Sequence, residues 1–134
     1  MHKRMFCLLM ICTALVVTAS ASISGQTAAT RVVMHEKLEL SQHVLEAVMT
    51  SDFDRLDRDT QALARLTEKP GWMVLTTPEY VRYSGAFVAV LQELTAAARD
   101  HDLDTAAVRY ASMTMACYQC HRYVKRARLA KLRR

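Results

Sequence analysis

Cys117-Tyr118-Gln119-Cys120-His121 is the stretch on which the reading of this 134-residue chain turns. On a helix of 3.6 residues per turn, Cys117, Cys120 and His121 stand at i, i+3 and i+4 and share one face within a single turn. Two thiols and an imidazole so placed match the C-x-x-C-H pattern of c-type haem attachment. There the thiols take the two vinyl groups on one edge of the porphyrin, and the adjacent histidine binds the iron. Other uses of a Cys pair fit less well. A structural zinc site takes four Cys or His ligands, often as two clusters, and no second cluster accompanies this one in the expected mature chain. A thioredoxin-type dithiol sits near a helix N-terminus in a strand-helix-strand setting, whereas this pair lies late in a long helical pattern. A disulfide between i and i+3 of a regular helix is strained.

The other end of the chain bears on the compartment. His2, Lys3 and Arg4 precede the apolar runs Phe6–Cys12 and Leu15–Val17, and the small residues Ala19-Ser20-Ala21 follow. This is the basic, apolar, A-x-A order of a secretory signal peptide, expected over residues 1–21 with cleavage after Ala21. The apolar part is too short for a bilayer span, so no stable membrane segment is expected after cleavage. Neither Cys7 nor Cys12 follows the small residue of a lipoprotein signal. The expected location is periplasmic, and the remaining 113 residues suit one domain. Loss of Lys3 and Arg4 reduces 18 basic side chains to 16 against 13 acidic ones. Six of those positives crowd into the last ten residues, and the rest of the mature chain is acidic on balance.

Residues 22–29 read as a short lead-in of small residues, and the domain proper as 30–134. Met34, Leu38, Ser41, Leu45 and Val48, flanked by Val33, Leu40 and Val44, predict a first amphipathic helix over about 29–50. Phe53, Leu56, Leu63 and Leu66 predict a second over about 52–68, ended by Pro70-Gly71. Residues 70–77 form an apolar loop with Trp72, Val74 and Leu75, either covering a haem edge or packing on the bundle end. Thr77-Pro78-Glu79 is an N-cap, N1 proline and first-turn acid. It opens a third helix to about residue 100, with Tyr80, Ser84, Phe87, Leu91, Leu94 and Ala98 on one face and Gly85 allowing close helix contact. Asp100-His101-Asp102 turns the chain, and Asp104 starts a fourth helix carrying Val108, Ala111, Met115 and the Cys-His run to about 131. The periodicity is helical throughout, so the fold class is all-α: four helices with short connections, an antiparallel four-helix bundle.

A helical chain with C-x-x-C-H near its C-terminus resembles the class II cytochromes c, the cytochrome c prime family and its low-spin relatives. The resemblance covers about residues 30–126 and rests on Arg31-Val-Val-Met34, Thr77-Pro78-Glu79-Tyr80 and Met115-Ala116-Cys117-Tyr-Gln-Cys120-His121. It implies an antiparallel four-helix bundle holding one covalent haem c, with a homodimer formed through the first two helices. It also implies His121 as the proximal iron ligand and Met34 as the residue on the other side of the iron. In the low-spin branch that methionine is the sixth ligand and the protein carries electrons. In the high-spin branch an apolar side chain only packs there, and five-coordinate iron binds nitric oxide or other small gases. Methionine is also common core filler, so Met34 suits either state. Arg31 is implied as a partner of a haem propionate, or is an ordinary solvated residue. The family follows its histidine with an aromatic at +3 and a base at +4. Here those positions hold Val124 and Lys125, with Tyr123 at +2.

The favoured expectation is therefore an exported monohaem electron carrier, not an enzyme, with His121 and Met34 on the iron. The alternative is the five-coordinate gas binder. The basic C-terminal run suits an acidic redox partner protein, or is simply a solvated helix end favoured by the macrodipole. A nucleic-acid partner is disfavoured, because export and an acidic body leave only that terminal run. No hydrolytic constellation and no phosphate-binding glycine loop is present.

Overall fold

The computed structural model describes residues 28–133, so the expected signal peptide and residues 22–27 of the lead-in lie outside the described residues. Four helices follow in order: α1 over residues 28–50, α2 Phe53–Leu66, α3 Pro78–Arg99 and α4 Leu103–Leu132. No strand occurs among the described residues, and no helix there is long and apolar enough to cross a membrane.

Two connections are built the same way. Ser51 and His101 take left-handed φ values of 56° and 53°. At each, the next residue's N–H reaches back to the carbonyl five residues earlier: Asp52 to Ala47 and Asp102 to Ala97, both 2.9 Å. This is the Schellman closure of a helix end. The same Asp52 and Asp102 then cap the next helix, their carboxylates accepting from the N–H groups of Arg55 and Thr105 at 3.0 Å. One left-handed residue and one aspartate thus reverse the chain. Asp102, rather than Asp104, starts α4, because its side chain is the one that reaches the free N–H groups of the first turn. Thr77 caps α3, with Pro78 at the first helical position.

Cross-links fix the helix directions. Arg55 at the start of α2 meets Glu46 near the end of α1 at 2.9 Å, and Lys69 beyond α2 meets Glu36 near the start of α1. Arg99 at the end of α3 reaches Asp57 early in α2. Thr77 at the head of α3 hydrogen-bonds Tyr123 late in α4 at 2.7 Å. Consecutive helices are therefore antiparallel, as a four-helix bundle with short loops requires.

The core joins Val33, Val44, Ala47 and Val48 of α1 to Leu56, Leu63 and Leu66 of α2. Phe87, Leu91 and Leu94 of α3, Ala106 and Met113 of α4, and Trp72 of the loop complete it. The inner faces of α2 and α3 match the sequence pattern. The face of α1 does not: Leu38 is 56% and Leu45 39% exposed, while Lys37 is only 7% exposed. The inward positions are 33, 37, 40, 44 and 47–48, steps of four and three, with a lysine among them. An apolar-only stripe treats that lysine as surface and turns the helix away from its true inner face.

Val108, Ala111 and Met115, the apolar residues that the sequence places on α4, are all exposed. Val108 and Met115 are more than half exposed, and with Ala86 and Val90 they line a shallow groove between α3 and α4. Gly85 does not serve close helix contact, since a Cβ there would meet nothing within 4 Å. Gly85→Ala is accordingly expected to stabilise the fold by about 1 kcal/mol, the helix-interior difference between the two residues, read as a higher urea midpoint at constant slope.

Candidate functional site

An open cavity of about 360 Å³ lies where the head of α1, the loop after α2, the start of α3 and the second half of α4 meet. This volume is within the span of about 300–1,000 Å³ common for cofactor pockets. Met34 enters it from α1, Val74 from the loop, Tyr80 from α3, and Cys120, His121 and Val124 from α4. Thr30, Lys125 and Arg128 add polar groups, and Leu129 closes the apolar wall.

Each wall has a local cause. The loop is tied down by Trp72, which is buried, stacks against Phe87 with centroids 5.6 Å apart, and donates from Nε1 to Ser84 Oγ at 3.0 Å. The buried Tyr80 hydroxyl donates to the Trp72 carbonyl, so α3 holds the loop by its backbone as well as by the indole. Burial pushes the Tyr80 phenol above its ordinary pKa and keeps it protonated. On α4, Tyr123 turns toward α3, bonded to Thr77 and packed on Tyr83 at 5.5 Å. Val124 therefore faces the cavity, and the aromatic that follows the histidine serves the helix interface.

Cys120 and His121 line the cavity, while Cys117, half-buried one turn earlier, packs on the core. Both thiols are free. Burial raises the Cys120 pKa, with the Lys37 charge opposing it and Cys117 adding to it, so this sulfur stays a thiol near neutrality. The imidazole of His121 is shifted down, first by loss of solvent and then by the positive charge of Lys37. Both effects favour the neutral ring, the form that binds a metal. Among the described residues no three His, Cys, Asp or Glu side chains gather into a cage for a bare metal ion.

Met34 and His121 are thus brought to one cavity from different helices, together with one of the two thiols. Arg31 is not: it is exposed on α1 and does not line the cavity, where Lys125 and Arg128 supply the cationic groups. Tyr80, named from the sequence only for the start and inner face of α3, Val124, named only as the position three after the histidine, and Arg128 of the basic terminal run all join the site. Lys37 is the larger omission. It lies one turn beyond Met34, with its ammonium 3.8 Å from the centroid of Phe87 and 4.7 Å from that of Trp72. A lysine falling on the four-and-three repeat of Val33, Leu40, Val44 and Ala47 was the available signal.

No family model, no curated protein and no solved structure matches this chain.

Proposed function

We propose that this protein carries one covalently attached haem c and works as a one-electron carrier of the class II cytochrome c type in the periplasm. The observation that carries the reading is the placement of Cys120 and His121 beside Met34 in one apolar-walled cavity, with Cys117 one turn away on the same helix. The donor set fits such a group. A bare ion needs several protein ligands, whereas iron held in a porphyrin needs one or two, which is what the cavity offers. When bound, the haem supplies the Fe(III)/Fe(II) couple, taking one electron from a donor protein and passing it to an acceptor protein.

The chain's own residues do the rest. The thiols of Cys117 and Cys120 would each add across a vinyl double bond, sulfur to one carbon and hydrogen to the other, so that no atom is lost. The neutral His121 ring and the Met34 thioether would hold the iron. Met34, Val74, Val124 and Leu129 give the cavity an apolar lining, which would lower the polarity around the bound group and favour the ferrous state. Lys125 and Arg128 are placed to pair with the propionate carboxylates.

The test is the mass and the optical spectrum of exported protein, made in a host with haem-attachment machinery. The expected result is the polypeptide plus one haem, with the sharp ferrous bands of six-coordinate low-spin iron. In Met34→Ala the low-spin signature is expected to give way to a high-spin one. A colourless wild type of bare polypeptide mass overturns the haem reading. A high-spin wild type that binds nitric oxide rapidly would replace the electron carrier with a gas binder.

A further inference from the structure

Lysine is among the residues least often fully buried without a partner. Lys37 is 93% buried, and among the described residues no carboxylate pairs with it. Its stem does not carry the ammonium out to water, the usual course for a lysine on a helix at the protein surface. Instead the ammonium rests against Phe87 and Trp72, at 3.8 and 4.7 Å from their centroids. Trp72 is in turn fixed by its bond to Ser84.

The kind of partner decides what the charge can do. A carboxylate would hold the ammonium and also cancel its field. An aromatic face attracts a cation through its quadrupole but carries no net charge, so the unit positive charge survives in the interior. There it is poorly screened by salt and acts through a lower effective dielectric than it would at the surface. It stands close to the site: Lys37 lies one helical turn along α1 from Met34, which lines the cavity, and Trp72 of its cage accepts at its carbonyl from Tyr80, another cavity residue.

We propose that Lys37 is a potential-setting residue, an uncompensated interior cation caged by Trp72 and Phe87 that favours the ferrous state of a haem attached through Cys117 and Cys120. Adding an electron removes one positive charge from the iron centre, so a fixed cation nearby stabilises the reduced form relative to the oxidised one. This rests on the haem reading above. In this role Lys37 acts through its field and is a positioning charge, not a ligand.

The experiment is a mediated redox titration of the haem-loaded, exported protein, comparing wild type with Lys37→Met, Lys37→Gln and Lys37→Arg. The two neutral variants separate loss of charge from any packing defect peculiar to one of them. Both are expected to lower the ferrous-to-ferric ratio at a fixed applied potential at least tenfold, a fall in midpoint of about 59 mV or more for a one-electron couple. Lys37→Arg, which keeps charge and aromatic contact, is expected to hold the midpoint to within half of that. The shift is expected to keep more than half its size between dilute buffer and high salt, because Lys37 itself is buried. Unmoved midpoints in both neutral variants, with the haem present by mass, overturn this inference and leave the haem reading standing. Equal falls in the arginine and neutral variants also overturn it, since packing would then be responsible. Wild-type protein without haem removes both.

Discussion

Exported protein in which Cys117 and Cys120 are both replaced by serine is expected to show the mass of the bare polypeptide and no visible absorption. The substitution is mild for the fold. Both thiols are free and only half-buried, serine is close to cysteine in size, and neither residue caps or bridges a helix. Helix content should therefore persist while the two bonds to the cofactor cannot form. Stability should fall nonetheless. The thioether bonds would persist on unfolding, but iron ligation and the cavity contacts would form only in the folded chain, and contacts made only there stabilise it. The single variants are expected to be intermediate, each retaining one sulfur bond. Cys120→Ser should be the more damaging, because Cys120 lines the cavity whereas Cys117 packs on the core. A double variant that still carries covalent haem would mean that some other side chain makes the bond, and the site would have to be sought elsewhere.

How far sequence reading reaches here depends on whether a signal is local. Thr77-Pro78-Glu79 could be placed to the residue, since capping is a matter of three adjacent residues and their N–H groups. The inner faces of α2 and α3 were legible because their buried residues are almost all apolar. The face of α1 was not, because a lysine stands in its buried row and its favourable contacts are two rings supplied by other segments. Periodicity cannot show a cation–π cage. Cys120, His121 and Met34 line one cavity, a meeting of α1 and α4 that depends on how the helices pack. The exposure of Arg31 and the cavity-lining position of Arg128 depend on how the ends of α1 and α4 meet, a tertiary fact. Gly85 illustrates the reverse case: a residue that suggests a close contact faces open space, so only its propensity matters.

Gly71→Ala is expected to destabilise the fold strongly, opposite in sign to Gly85→Ala. Gly71 has φ +95°, where an L side chain is strained, at a cost of about 1–3 kcal/mol. A Cβ there would also lie 2.6 Å from the carbonyl carbon of Ala29 and 2.7 Å from the nitrogen of Thr30. These are backbone atoms in the first turns of α1 and cannot swing aside as a side-chain tip would. Forcing the loop and the helix apart adds the usual penalty of overpacking, about 1–3 kcal/mol. The two together come to about 2–6 kcal/mol, against a typical total stability of about 5–15 kcal/mol for a single domain. The damage should also reach the cavity, because Thr30 on one side of the contact and Val74 three residues beyond Gly71 both line it. Two readouts are therefore expected to move together: a urea midpoint well below wild type, and a weaker low-spin signature as the Met34 end of α1 shifts. Since the same chemical change at Gly85 is expected to stabilise, the pair of variants separates helix propensity from the close approach at Gly71. A Gly71→Ala protein unfolding within about 0.5 kcal/mol of wild type, the range of an ordinary surface substitution, would show that the loop does not press against α1, and the cavity drawn from that contact would have the wrong wall.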